Sequence, residues 1–187
     1  TRVCHASQDV DAPAFRPPVR EAKFVKDPAR WAATPVFRRI LHDRLAEKIA
    51  RIAAWPETAP VRVNPGVSTT RAVVASGVAF AHARELFGEL GLSERVALFQ
   101  VIQPYPLHSA FIDHLLDSYE EILVLEESAP VIEMQIADRR RVRGRMTGAV
   151  PGTGELLPEI VEGLLSLFAG ISPTGRAPSG RTGGRRP

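Results

Sequence analysis

The sequence predicts an open, mostly parallel α/β sheet, and three observations carry that prediction. Three short apolar runs lie close together: Arg71 to Ser76, Val96 to Val101 and Ile122 to Leu125. Helical patterns separate them, Val78 to Leu90 and Leu107 to Tyr119. Gly77, Gly91, Pro104 and Pro106 punctuate the joins. Apolar strands alternating with helices require crossover connections, which make the strands parallel.

Each element follows from local chemistry. Residues 1–35 carry Pro13, Pro17, Pro18, Pro28 and Pro35, so an extended arm is expected there. Phe15, Phe24, Val25 and Trp31 give that arm something to pack with. Val36 to Trp55 reads as an amphipathic helix, with Ile40, Leu41, Leu45, Ile49 and Ile52 on one stripe, and Pro56 stops it. Residues 56–68 are a connector rich in Pro and Gly. Beyond Leu125 the pattern predicts a helix from Ala129 to Arg141, with Val131, Ile132, Met134, Gln135 and Ile136 near one side. Val142 to Val150 is expected to supply a short edge strand. Pro158 opens a last helix that runs to Ala169 and ends at Gly170. The remainder to Pro187 is Gly, Pro, Ser, Thr and Arg with one large apolar residue, a composition expected to be disordered.

At 187 residues the chain has room for one ordinary domain with an arm. It starts with Thr1 and its only methionines are Met134 and Met146, so either an initiator was removed or, as expected, it is part of a longer polypeptide. The formal net charge of +3 is misleading. Residues 171–187 hold Arg176, Arg181, Arg185 and Arg186 and no acid, which leaves 20 basic against 21 acidic side chains in the body. No domain-wide footprint for nucleic acid survives that subtraction. No apolar run approaches the length of a membrane span, so no membrane partner is expected, and the expected compartment is the cytoplasm. A single cysteine, Cys4, excludes an internal disulfide framework and any site needing several thiolates.

Open α/β sheets place their functional loops at the carboxyl ends of the strands. The candidates there are Ser76 and Gly77, Gln103 and Tyr105, and the pair Glu126-Glu127. Ser76-Gly77 can face an anion at a helix start, or it is simply a tight βα turn. Glu126-Glu127 offers paired carboxylates for acid–base work or a partner, or else a helix cap and a solvated side chain. No glycine-rich nucleotide fingerprint accompanies these loops. The histidines have no metal-ligand spacing, and adjacent Cys4 and His5 diverge on an extended arm. Arg139, Arg140, Arg141, Arg143 and Arg145 form the one basic cluster of the body. It offers a site for phosphate, an acidic neighbour or nucleic acid, against the commoner reading of a solvated helix end. No residue set makes a catalytic, cofactor or metal site by itself.

Several segments resemble a known family in their order. They are Thr1 to His5, Phe24-Val25-Lys26-Asp27-Pro28-Ala29-Arg30-Trp31 with Thr34-Pro35, Val74 to Phe80, Tyr105-Pro106-Leu107 and Val124-Leu125-Glu126-Glu127. Together they resemble the thiamine-dependent large (alpha) subunit of indolepyruvate:ferredoxin oxidoreductases, within the 2-oxoacid:ferredoxin oxidoreductases. The resemblance covers roughly residues 1–169 and rests on the combination, since each short motif alone is generic. It implies that residues 1–5 end a pyrimidine-binding domain and that 6–69 are a connecting arm and helix. Residues 70–169 would be a three-layer α/β/α domain similar to the transketolase carboxyl-terminal domain, followed by a disordered basic tail, 170–187.

The resemblance further implies an intact enzyme that oxidatively decarboxylates 2-oxoacids with thiamine diphosphate, Mg and 4Fe-4S clusters, coenzyme A and ferredoxin. A small (beta) subunit and further thiamine-binding domains would be its partners. This chain departs from the family where it matters for chemistry. The Gly-Asp-Gly motif that binds pyrophosphate and magnesium, the glutamate that activates the aminopyrimidine and the cysteine-rich cluster segment do not occur in it. Residues 173–187 stand where the family continues into its thiamine-binding domain, and they read as a gene-model end or a shifted frame. The expected role is therefore structural: a fragment that assists assembly, inactive alone. The rival expectation is a free-standing interaction module that uses the Arg139 to Arg145 cluster.

Overall fold

Side chains alternate across a strand, so a strand buried on both faces needs helices on both sides. That is how this chain folds. In a computed structural model, residues 23–31, 34–66 and 68–172 are described, with positions 9, 11, 14, 16, 17, 19 and 21 of the arm. The chain divides into two compact units, Thr1–Lys48 and Ile49–Pro187.

The second unit holds the sheet. Its strands are β1 (Val61–Arg62), β2 (Arg71–Ser76), β3 (Ala97–Val101), β4 (Glu121–Leu125) and β5 (Val142–Arg143). They lie in the order β1-β3-β2-β4-β5. β2 pairs in parallel with β3 and β4, and β5 is parallel to β4; only β1 runs antiparallel, against β3. The helices are α1 (Pro28–Trp31), α2 (Pro35–Ala53), α3 (Gly77–Glu89), α4 (Ser109–Ser118) and α5 (Pro158–Ala169).

Val73, Ala75, Leu98, Leu123 and Leu125 pack with Phe80 and Leu86 of α3 and Val161 and Leu165 of α5. Val74, Phe99, Val101, Ile122 and Val124 pack on the other face with Phe111 and Leu115 of α4 and with Ile132 and Ile136. Helices on both faces make three layers. Each fully buried Leu or Ile here contributes about 1.5–3 kcal/mol by leaving water, and Leu98, Leu115, Ile122 and Leu165 are all at most 1 % exposed.

Strands β2 to β4 and helices α3 to α5 lie within two residues of their sequence expectation at every boundary. α5 shows why. Pro158 sits at its first turn, and Gly170 ends it with φ +66°, a conformation glycine adopts without a Cβ penalty.

Four expectations are corrected. No helix spans Ala129 to Arg141; only the 3-10 turn Glu133–Gln135 forms. The Glu126 carboxylate takes the amides of Ile132 and Glu133, and the Gln135 side chain takes the Val131 and Pro104 carbonyls and the Leu107 amide. Side chains thus satisfy the backbone that a helix would have paired. The edge strand stops at Arg143, because the Gly144 amide bonds Thr147 Oγ1 at 2.8 Å and the chain turns back to a Val150-to-Gly144 bond.

The connector contains a 3-10 turn, Pro56–Thr58, and the short strand β1. Beyond β1, Asn64 continues the edge by bonding the carbonyls of Ser93 and Val96 and the amide of Leu98. Within the arm, Pro28–Trp31 forms one helical turn that Asp27 caps through the Arg30 amide.

α2 forms as expected, but none of its residues is buried, and Ile40 and Leu45 are more than half exposed. Thr1 to His5 and the tail from Pro173 lie outside the described residues.

Candidate functional site: the carboxyl edge of the sheet

Because β2, β3 and β4 are parallel, their carboxyl ends and the loops that follow share one edge. All six sequence candidates fall there, and they do different things. Ser76 ends β2 opposite Val101, half-buried, and its side chain makes no capping bond to α3. Gly77 opens α3 at φ +57°, exposed, where any Cβ would meet open space; only the backbone conformation asks for glycine. Gln103 Nε2 donates to the Pro106 carbonyl at 3.1 Å and closes its own loop. Tyr105 is 61 % exposed and precedes a cis bond to Pro106.

The glutamate pair splits. Glu126 is buried, its two oxygens accepting the Ile132 amide at 2.7 Å and the Glu133 amide at 3.0 Å. Glu127 points elsewhere and accepts the Leu156 amide. The two carboxylates do not converge on a shared space, so paired acid–base work finds no geometry here.

Burial pushes the Glu126 carboxyl above the usual carboxylate value, aided by the charge of Glu133 and opposed by the amide bonds. At the start of the same strand, burial also acts on Glu121, but bonds to Arg143 and Arg71 outweigh it and hold that carboxyl low.

Glu133 and Gln135 at this edge lie outside the sequence candidates, and Arg145 takes a different role from the surface site its cluster suggests. Glu133 is fully buried; its Oε2 accepts the Met146 amide at 2.8 Å, and its Oε1 has no hydrogen-bond partner. Gly144 leaves it room, since a Cβ there would lie 2.5 Å from Glu133 Oε2. Arg145 donates to four carbonyls, those of Glu126 (2.8 Å), Ser128 (3.1 Å), Gly152 (3.1 Å) and Gly154 (3.2 Å). Gln135 ties the loop after β3 to the loop after β4. Nothing local in the sequence distinguishes these from surface charges; only the folded loops bring their partners.

The basic cluster is largely committed to the fold. Arg141 bonds Asp138 at 2.7 Å and the Leu116 carbonyl, Arg143 bonds Glu121 at 2.7 Å, and Arg139 bonds the Glu133 carbonyl at 3.0 Å. Arg145 alone of the five is turned inward.

The donor set also bears on the implied cofactors. A 4Fe-4S cluster takes four thiolates, and the chain has one cysteine. Among the described residues no group of three or more His, Cys, Asp or Glu comes together to hold a metal ion. The buried carboxylate of the loop edge is filled by backbone amides. These residues do not fit thiamine diphosphate with its magnesium, or a cluster.

Fold and loop edge together define a three-layer α/β module whose polar groups hold its own loops in place. No protein-family model matches the chain. Curated relatives do match, and they carry one name, indolepyruvate oxidoreductase subunit IorA. The Methanothermobacter thermautotrophicus protein is 29% identical over 167 residues, 87% of this chain and 26% of the relative. The Thermococcus kodakarensis protein is 28% identical over 142 residues, 73% of this chain and 22% of the relative. For Methanothermobacter marburgensis the match is 26% over 180 residues, covering 91% and 29%. The chain spans about a quarter of the length of these relatives. The resemblance drawn from the ordered motifs stands: the chain is similar to one stretch of the large subunits of indolepyruvate oxidoreductases.

Proposed function

We propose that the chain is the transketolase carboxyl-terminal-like module, residues 70–169 with the connecting arm and helix 6–69, of the large subunit of an indolepyruvate (arylpyruvate) ferredoxin oxidoreductase. Residues 1–5 are then the end of the pyrimidine-binding domain, and 170–187 a basic tail. The intact enzyme oxidatively decarboxylates a 2-oxoacid with thiamine diphosphate and coenzyme A, passing electrons through 4Fe-4S clusters to ferredoxin in the cytoplasm. This module binds none of these groups itself. It shapes and supports the neighbouring thiamine-binding domains and the small subunit.

One observation carries the reading: similarity to IorA subunits runs along most of the chain while covering only a quarter of theirs. The loop edge supports the assembly role. Ile102, Tyr105, Met134 and Met146 are each more than half exposed around it. Gln135 binds the Pro104 carbonyl, and Arg139 reaches both the Met146 sulfur and the Met134 carbonyl, so these side chains belong to one surface. Exposed apolar groups gathered on a loop face mark a contact surface. Among the described residues no helix is long and apolar enough to cross a membrane. The rival module reading, an acidic partner or nucleic acid held by the Arg cluster, loses support because Arg145 is turned inward and Arg141 is paired with Asp138.

The test is turnover by the purified chain given a 2-oxoacid, thiamine diphosphate, Mg, coenzyme A and ferredoxin. No decarboxylation is expected; thiamine-dependent decarboxylation by this chain alone would refute the structural role.

A further inference from the structure

At the edge opposite those loops, where β2, β4 and β5 begin, a cleft of about 400 Å³ opens beside the carboxyl end of α5. Leu123, Leu167 and Phe168 line it with hydrocarbon, and Arg71, Glu121 and Arg143 supply its charge. Glu121 accepts from Arg71 Nε at 2.9 Å through Oε2 and from Arg143 Nη2 at 2.7 Å through Oε1. Both carboxylate oxygens are thereby used. Each guanidinium is held through one nitrogen, in a fork that presents further donors. Two cations on one carboxylate leave a net charge of +1 beside an apolar surface.

At the carboxyl end of α5 the Gly170 and Ile171 amides bond the Leu167 and Ser166 carbonyls. Leu167 is 81 % exposed, a large apolar side chain left in water at the rim. The volume falls in the range of small-molecule sites, which combine apolar walls with a few placed polar groups.

We propose that this cleft binds a small apolar carboxylic acid. Its carboxylate lies against Arg71 and Arg143, and its hydrocarbon body against Leu123, Leu167 and Phe168. Glu121 acts as the positioning residue that holds both guanidinium groups in place. A free cation is repelled by the net charge, and a bare anion leaves the apolar wall unused. The inference does not depend on the oxidoreductase reading.

The probe is phenylacetate, titrated into the full 187-residue chain and followed by calorimetry, with phenylacetamide and inorganic phosphate as comparators. Saturable phenylacetate binding on the order of millimolar or tighter is expected for a ligand of this size. Phenylacetamide and phosphate are expected to bind at least about tenfold more weakly, since each lacks one half of the recognition. Arg143→Met and Leu167→Asp both alter exposed side chains, so the fold tolerates them, and a circular-dichroism melt verifies it. Each is expected to weaken phenylacetate about tenfold. Failure of phenylacetate to saturate, phosphate binding as tightly as phenylacetate, or unchanged affinity in both folded variants would overturn the assignment.

Discussion

Glu121 and Glu126 stand at the two ends of β4 and respond to pH in opposite senses. Glu121 is held below its ordinary 4.5, so its stabilisation is complete above that value and is lost as pH falls through the depressed one. Glu126 is raised above 4.5, so the fold favours its protonated form; stability is complete below 4.5 and declines as pH climbs through the raised value. Urea denaturation between about pH 3 and 8 separates the two windows. Glu121→Gln is expected to flatten the acid limb, and Glu126→Gln the decline above it. The amide introduced by Glu126→Gln also offers one acceptor oxygen where the ionised carboxylate offers two, which costs about 1–3 kcal/mol where Glu126 is ionised. An Ala at Gly144 meets a different obstacle. Its Cβ would lie 2.5 Å from Glu133 Oε2 and 2.6 Å from Cδ, and Glu133 is fully buried and cannot retreat. Gly144→Ala is expected to cost about 1–3 kcal/mol, read as a shift of the urea midpoint. Neither Glu133 nor Gly144 announces itself in the sequence. The contact joins Glu133, in a segment where periodicity predicts a helix and only a 3-10 turn forms, to Gly144, where an edge strand is expected.

Among the elements, the loops after β4 and β5 depend on Arg145. It connects the Glu126 and Ser128 carbonyls to those of Gly152 and Gly154. Arg145→Met keeps the stem but removes all four bonds, and a loss of about 3 kcal/mol or more is expected, with a steeper penalty than at exposed Arg140. Equal effects at the two positions would show that the carbonyl bonds contribute little. The strands and helices of the core were legible because their signals are local: an unbroken apolar run in β2, a proline start and glycine stop in α5. The segment after Glu127 was not. Its apolar residues do recur at helical spacing, and Ile132 and Ile136 are buried, but a 3-10 turn with side-chain bonds presents the same residues to the core. β1 is not legible because two residues between prolines carry almost no periodic signal; its partner β3 makes it a strand. In α2 the periodicity identified the helix correctly, yet the stripe it marks is not buried. Periodicity reports a helix, and only tertiary contact reports what covers it.

At the scale of the whole molecule, the carboxyl edge follows from topology alone: parallel strands put Ser76, Gly77, Gln103, Tyr105, Glu126 and Glu127 together. What those residues do was not legible, because Glu126 and Glu127 take backbone amides that come from distant loops. A loop edge that binds itself and exposes Ile102, Tyr105, Met134 and Met146 suits contact with neighbouring domains better than chemistry. The central claim is that this chain is one module of a larger thiamine-dependent subunit. The mass of the native polypeptide in its own cells, by immunoblot and mass spectrometry, tests it most directly. The account predicts a product several times the 20.4 kDa of this chain, containing it in frame with thiamine-binding domains. A native product near 20.4 kDa that associates with no such domain would contradict it.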